Sequence, residues 1–213
     1  MCIKFLIFLI SACGVLMNRV GSLKRETRET NIEVKVNLDG SGKFDINTGI
    51  GFFNHMLESM AKHSLFDLVV DASGDINVDF HHLVEDTGIV FGKALREALG
   101  DKRGINRFGF ATIPLDEALV EVAIDISGRP YYTSNFKDFD GAAGSFDIEL
   151  ADVFFSGFCS CGYTLHIIVR SGSSVHHIME AAFKAFGRSL RMAVDIDEKR
   201  KGDIPSTKDY IEK

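Results

Sequence analysis

Two stretches decide the fold: His81-His82-Leu83-Val84-Glu85-Asp86-Thr87-Gly88-Ile89-Val90-Phe91-Gly92-Lys93-Ala94-Leu95-Arg96-Glu97-Ala98 and His176-His177-Ile178-Met179-Glu180-Ala181-Ala182-Phe183-Lys184-Ala185-Phe186-Gly187-Arg188-Ser189-Leu190-Arg191-Met192-Ala193. They align without a gap at an offset of 95 residues, with eight identities in 18 positions. Self-similarity of this kind marks a repeated structural unit. Around each copy the patterns recur. Phe53, Met56, Leu57 and Met60 have helical spacing over 52–62, and so do the apolar residues of 83–99 before Gly100. In the second copy 148–158 and 178–194 read as helices. Strands are expected at 32–38, 66–70 and 74–80, and again at 119–126 and 164–169. The fold class is α+β, with two similar halves, each a small sheet covered on one face by helices. Phe183, Phe186, Leu190 and Val194 fall at core spacing and need no other explanation.

The chain has 213 residues, 46% hydrophobic and 25% charged, with a net charge of −6. These proportions suit a folded globular protein and exclude collagen, disorder and a many-pass membrane protein. The negative balance argues against a nucleic-acid partner, and no membrane partner is expected. Four cysteines do not make a disulfide framework; Cys159 and Cys161 read as small core residues. Residues 1–16 stand apart as an upstream extension or signal-like segment, too short to span a bilayer. Residues 17–213 form a single domain of two repeats, about 25–110 and 111–200, followed by a polar tail.

Each His-His-x-x-Glu motif sits at a helix start. The first His lies four residues before the Glu and the second three, so either shares a face with the carboxylate. Adjacent imidazoles on a helix diverge by about 100° and do not comfortably serve one ion. The simplest arrangement sends one His of each pair to one metal and the other to a second, with His55 and His166 as extra ligands. Imidazole and carboxylate without thiolate suit Mn²⁺, Fe²⁺ or Zn²⁺ in open, catalytic sites. No His-Glu-x-x-His metalloprotease motif is present, and Gly40-Ser41-Gly42-Lys43 is a turn, not a phosphate loop. Anion-binding candidates are 101–107, Ser127-Gly128-Arg129-Pro130, Lys184 and Pro205-Ser206-Thr207-Lys208.

The sequence resembles the imidazoleglycerol-phosphate dehydratase family from about Arg25 to Lys208. The likeness is carried by Arg28-Glu29-Thr30-Asn31, Gly51-Phe52-Phe53-Asn54-His55-Met56-Leu57, both His-His-x-x-Glu segments, Gly100-Asp101-Lys102-Arg103-Gly104, Asp125-Ile126-Ser127-Gly128-Arg129-Pro130, Thr164-Leu165-His166 and Pro205-Ser206-Thr207-Lys208. The resemblance implies a ribosomal protein S5 domain 2-like fold and a cytoplasmic lyase of histidine biosynthesis. It implies dehydration of D-erythro-imidazole-glycerol phosphate to imidazole-acetol phosphate, with two Mn²⁺ per active site and self-association into trimers and a 24-mer. By motif position the metal ligands are His55, His81, His82, Glu85, His166, His176, His177 and Glu180. Phosphate contacts are Arg107, Arg129, Lys184, Ser206 and Lys208. Glu29 matches an acid/base residue, with Glu180 as a second proton-moving group; His63 matches a family His that supports the ligands or the structure. The expected route runs through a metal-stabilised imidazolate and a diazafulvene. Departures from the family pattern are Asn54 before the first ligand His, Phe80 before the first His pair, Ala142, and Asp209 after Lys208. The competing readings are a metallohydrolase of a phosphorylated small molecule, a non-catalytic metal-binding shell, and an exported lipoprotein resting only on residues 1–16.

Overall fold

A computed structural model describes residues 19–200 and 202–212; the signal-like segment at 1–16 lies outside the described residues. The first half runs β1 (Val20–Glu26), β2 (Thr30–Asn37), β3 (Phe44–Asn47), α1 (Gly51–Ser64), β4 (Asp67–Gly74) and α2 (His81–Leu99). The second runs β5 (Phe108–Leu115), β6 (Ala118–Asp125), β7 (Tyr131–Ser134), the short pair β8 (Ala142–Ala143) and β9 (Phe146–Asp147), α3 (Ile148–Cys159), β10 (Thr164–Ser171) and α4 (Val175–Val194). The sheets have the same plan: β1-β2-β4-β3 and β5-β6-β10-β7. In each, an antiparallel hairpin is followed by a last strand that pairs in parallel.

Alternation explains the sheets. Ile32, Val34 and Val36 of β2 are buried, as are Val120, Val122 and Ile124 of β6, while their neighbours point outward. The inner faces take up the helices. α1 and α2 lie on the first sheet, α3 and α4 on the second, and the pairs pack crosswise, α1 on α4 and α2 on α3. The Phe-rich composition fills this middle layer: Phe154, Phe155, Phe158, Phe183 and Phe186 are fully buried and touch edge-on, tilted or stacked.

The repeat identity Gly92/Gly187 has a packing cause. A Cβ on Gly187 would stand 2.5 Å from the Met60 carbonyl oxygen of α1, and one on Gly92 2.8 Å from that of Phe158 in α3. Both helix crossings therefore need a bare backbone at the same repeat position.

The structure corrects one expected strand. Residues 74–80 are not extended: β4 ends at Gly74, the Val78 N–H donates to the Asp75 carbonyl at 2.8 Å, and Ile76 and Val78 are 38% and 66% exposed. Their alternation faces no core. Conversely, strands β1, β3, β5 and β7 escaped the sequence patterns. Helix α4 begins at Val175, earlier than the expected 178, so both His pairs lie in first turns.

Gly187→Ala tests the crossing. Helix propensity alone would stabilise the variant by about 1 kcal/mol; overpacking predicts destabilisation by roughly 1–3 kcal/mol in chemical denaturation. A stabilised variant would contradict the packing described.

Candidate metal centre and phosphate cradle

The crosswise packing of α1 on α4 sets His55, from the first half, beside His176 and Glu180 of the second. His55 Nε2 lies 3.5 Å and His176 Nε2 3.3 Å from the same Glu180 oxygen, Oε2. One donor atom from each residue falls within 4.8 Å of the others, the one such cluster of three among the described residues. On the other side of the carboxylate, Lys184 Nζ donates to Glu180 Oε1 at 2.8 Å, one helical turn on. Burial alone would raise the Glu180 pKa; the Lys184 hydrogen bond and charge, with His55, outweigh it and hold it below the ordinary value. Two imidazoles and an ionised carboxylate, with His176 exposed to solvent, are a donor set that fits a first-row divalent ion with open positions.

Local structure explains the aim of these groups. Asn54 Oδ1 accepts from the Thr48 N–H at 3.0 Å and its hydroxyl at 2.6 Å, fastening the entry to α1 next to His55. Phe52 lies edge-on to His176 at 5.1 Å. Ser174 caps α4, accepting from the His177 N–H. Asp79 accepts from the His81 N–H at 2.8 Å, while Phe80 packs half-buried against the core. The two departures beside ligand positions thus leave the local supports in place.

The second histidine of each pair turns away from its motif Glu to another carboxylate. His82 Nδ1 donates to Asp75 at 3.0 Å, with Glu29 at 4.0 Å. His177 Nδ1 donates to Glu117 at 2.8 Å, with Asp116 also near. The Asp75 hydrogen bond, then the charge of Glu29, raises the His82 pKa; Glu117 does the same for His177, and the imidazole holds Glu117 down to about 2. Such carboxylates orient a ring so that Nε2 is free for a metal. Asp75 and Glu117 were missed in the sequence because neither lies in a motif. His81 and Glu85 are exposed on α2, with His81 lining a separate cavity beside Leu150. His166 stands on the outer face of the second sheet, in register with Ala123 and Thr133 and 5.6 Å from the Tyr131 ring. Within one chain these ligand candidates do not join the His55 cluster.

The basic candidates divide in two. Arg107, Ser127, Arg129, Ser206 and Lys208 line one cavity of about 670 Å³. Arg107 donates to both oxygens of Asp125, at 2.7 and 3.0 Å, and to the Pro205 carbonyl at 2.9 Å, which seats the tail. Asp209 adopts φ +52, a left-handed position that Gly fills freely and Asp tolerates. Lys184 is not in this cavity. The Arg107 N–H meets the Ala193 carbonyl at the far end of α4, roughly 20 Å along the helix from Glu180 at 1.5 Å per residue. His63 lies near Lys184 and Arg188; burial, then those charges, lower its pKa. Ala142 is exposed and contributes no side chain to either place. Cys159 and Cys161 are free and buried, and burial pushes both thiols up, which makes them unreactive.

The family model for imidazoleglycerol-phosphate dehydratase matches residues 48–190. The chain belongs to this family. It is 52% identical over 196 residues to the imidazoleglycerol-phosphate dehydratase of Acidiphilium cryptum, covering 92% of this chain and 100% of that protein. It is 47% identical to the chloroplastic imidazoleglycerol-phosphate dehydratase 1 of Arabidopsis thaliana, covering 94% of this chain and 75% of that protein. Among solved structures, the Pyrococcus furiosus dehydratase in complex with (S)-C348 superposes with a TM-score of 0.77 at 37% identity, covering 89% of this chain and 100% of that one. The Staphylococcus aureus dehydratase gives 0.72 at 37% identity, covering 84% and 99%. Among the described residues no helix is long and apolar enough to cross a membrane.

Divalent-ion loading of this dehydratase family member is expected to follow the imidazoles. The three side chains offer the donor atoms together, so His55→Ala and His176→Ala are each expected to lower divalent-ion affinity by roughly tenfold or more, measured by equilibrium dialysis and metal analysis. Unchanged affinity in both variants would contradict the imidazole ligands.

Proposed function

We propose that the chain dehydrates D-erythro-imidazole-glycerol phosphate to imidazole-acetol phosphate on two Mn²⁺ ions, at sites built around His55, His176 and Glu180. It is a metal-dependent carbon–oxygen hydro-lyase of histidine biosynthesis. The observation that carries the metal site is the convergence of two imidazoles, from different halves, on one Glu180 oxygen. His81, His82, Glu85, His166 and His177 complete the ligand set. A divalent ion bound there supplies Lewis-acid activation of the substrate's imidazole ring.

The protein's own groups do the rest. Ser206, Lys208, Arg129 and Arg107 grip the phosphate at the tail cavity, and Lys184 meets it from the metal side. Loss of water requires a proton delivered to the departing C3 hydroxyl and one removed from C2. Glu29, exposed on the hairpin between β1 and β2, moves such a proton, and Glu180 is the second carboxylate placed for transfer. Charge-assisted contacts to the phosphate act in ground and transition states alike, so they govern substrate binding more than turnover.

Assembly into trimers and a 24-mer is part of this proposal. The phosphate cavity and the His55 cluster lie at opposite ends of α4, so a complete site draws on neighbouring copies. The outer face around His166 carries Phe108, Phe110 and Tyr131, which are 57%, 68% and 56% exposed; apolar surface of this kind is normally covered. The whole of 17–213 acts as one domain of two repeats. The cytoplasm suits the free thiols Cys159 and Cys161.

A dehydration assay on purified protein, with and without chelator and with metal analysis, tests the function. Water loss that stops on chelation and returns with Mn²⁺ is expected, with no phosphate released from the substrate. Activity surviving complete metal removal, or phosphate release, would contradict it. Glu29→Gln is expected to keep its metal and lose turnover by roughly 100-fold; near-normal turnover would remove Glu29 from the proton transfer. Arg129→Ala is expected to raise KM by about tenfold or more with kcat little changed, and an unchanged KM would exclude it from the phosphate cradle.

A further inference from the structure

The repeat makes each half a control for the other, and they differ at one buried polar cluster. In the first half, Asp86 of α2 is 7% exposed and Thr30 of β2 is 3% exposed. Thr30 Oγ1 donates to Asp86 Oδ2 at 2.6 Å, and the Arg25 guanidinium of β1 pairs with the same carboxylate oxygen. The three positions have counterparts in the second half. Asp86 maps to Ala181 by the 95-residue offset. Thr30 pairs with Gly74; its counterpart Ala118 stands against Gly172, with 3.3 Å from its Cβ to a Cβ built there. Arg25 pairs with Ile32, and the matching pair is Ile113 with Val120. Where the first half sets a half-exposed Arg on a buried Thr and Asp, the second places Ile, Ala and Ala.

The second half shows that apolar residues suffice to dock this hairpin on its helix. Replacing buried ion pairs by apolar residues is often neutral or stabilising. The polar cluster therefore has a use other than stability, and what differs between the two hairpins is the pairing of the Glu just before Thr30 and Ala118. Glu117 is spent on His177 at 2.8 Å. Glu29 lies 4.0 Å from the matching His82, because Asp75 takes that ring at 3.0 Å. The Glu29 backbone is pinned on both sides: its N–H donates to Thr27 Oγ1 at 3.1 Å and its carbonyl accepts from the Asp75 N–H at 3.1 Å. Thr27 Oγ1 also accepts from the Thr30 N–H at 3.0 Å. The residue that anchors the end of this turn is Thr30, and Thr30 is held by Asp86.

We propose that Asp86, with Arg25 and Thr30, is a positioning cluster that locks the β1–β2 hairpin onto α2 and so holds Glu29, released from its imidazole, in place for proton transfer. It rests on Glu29 as the acid/base group. The cluster touches no substrate and acts through the hairpin alone. A displacement of about 1 Å in a proton-transfer group costs as much as 100-fold in rate.

The test uses the metal-loaded full chain and borrows the second half's residues: Arg25→Ile, Thr30→Ala and Asp86→Ala together. The expected result is a fall in kcat of roughly 10- to 100-fold, with KM, metal content and thermal midpoint close to the starting protein. A kcat within about twofold overturns the proposal. If the triple variant does not fold, Thr30→Val decides instead, since it removes only the hydroxyl tie; kcat is expected to drop and Thr30→Ser to restore it, and an unimpaired Thr30→Val overturns the proposal. In a Glu29→Gln background the triple change is expected to add no further loss; an additive loss means the cluster acts elsewhere and overturns it. If Glu29→Gln alone leaves turnover normal, the acid/base role of Glu29 fails separately. Amide exchange then still tests the lock: 27–31 are expected to exchange faster in the triple variant while 116–118 do not, and unchanged exchange at 27–31 overturns it.

Discussion

The Glu180 carboxylate is the junction on which the structure depends. It stands one turn into α4 and receives His176 from its own helix, His55 from the other half of the chain, and Lys184 from the next turn. Burying such a carboxylate is costly unless it is paired, and here all its partners are cations or imidazoles. The pairing exists only because α1 crosses α4 closely, and the crossing is close because Gly187 offers bare backbone to Met60. A packing constraint in the middle of the helix layer thus sets the geometry of a polar cluster at its edge.

Repetition supplied the scaffold, and divergence between the halves supplied the chemistry. Gly92 and Gly187 keep the same close approach, and the inner rows of β2 and β6 keep the same alternation. The polar fittings do not repeat. The matched helix crossings align Met60 with Phe158, which puts Val153 where α1 has His55, so Glu85 lacks the neighbour that Glu180 has. His82 leans on Asp75, which follows β4, whereas His177 leans on Glu117, from a hairpin turn. Among the described residues one cluster converges, and the second His-His-x-x-Glu set stands on α2 with His81 and Glu85 exposed and His82 half-buried.

Much of this was legible from residue order. The 95-residue offset, the helical spacing and the His-His-x-x-Glu motifs located all four long helices and the inner strands. Strands β1, β3, β5 and β7 were harder because each is an edge strand, half-exposed, so that Leu23, Ile46 and Tyr132 stand among polar neighbours without a full apolar row. The run 74–80 misled because Ile76 and Val78 alternate correctly yet face solvent. The supports of the site were invisible for another reason: Asp86 and Glu117 act through partners 56 and 60 residues away, and Asp75 reaches His82 from outside the helix, so spacing along one element carries no trace of them. The separation of Lys184 from the Arg107–Lys208 cavity is likewise set by the length of α4, not by any local motif.

The central claim is that His55, His176 and Glu180 bind one divalent ion between them. Anomalous scattering from crystals grown with Mn²⁺ tests it directly. The account predicts an anomalous peak within about 2.0–2.3 Å of His55 Nε2, His176 Nε2 and a Glu180 oxygen. Well-ordered side chains at these three residues with no peak between them, and manganese bound elsewhere, would contradict it.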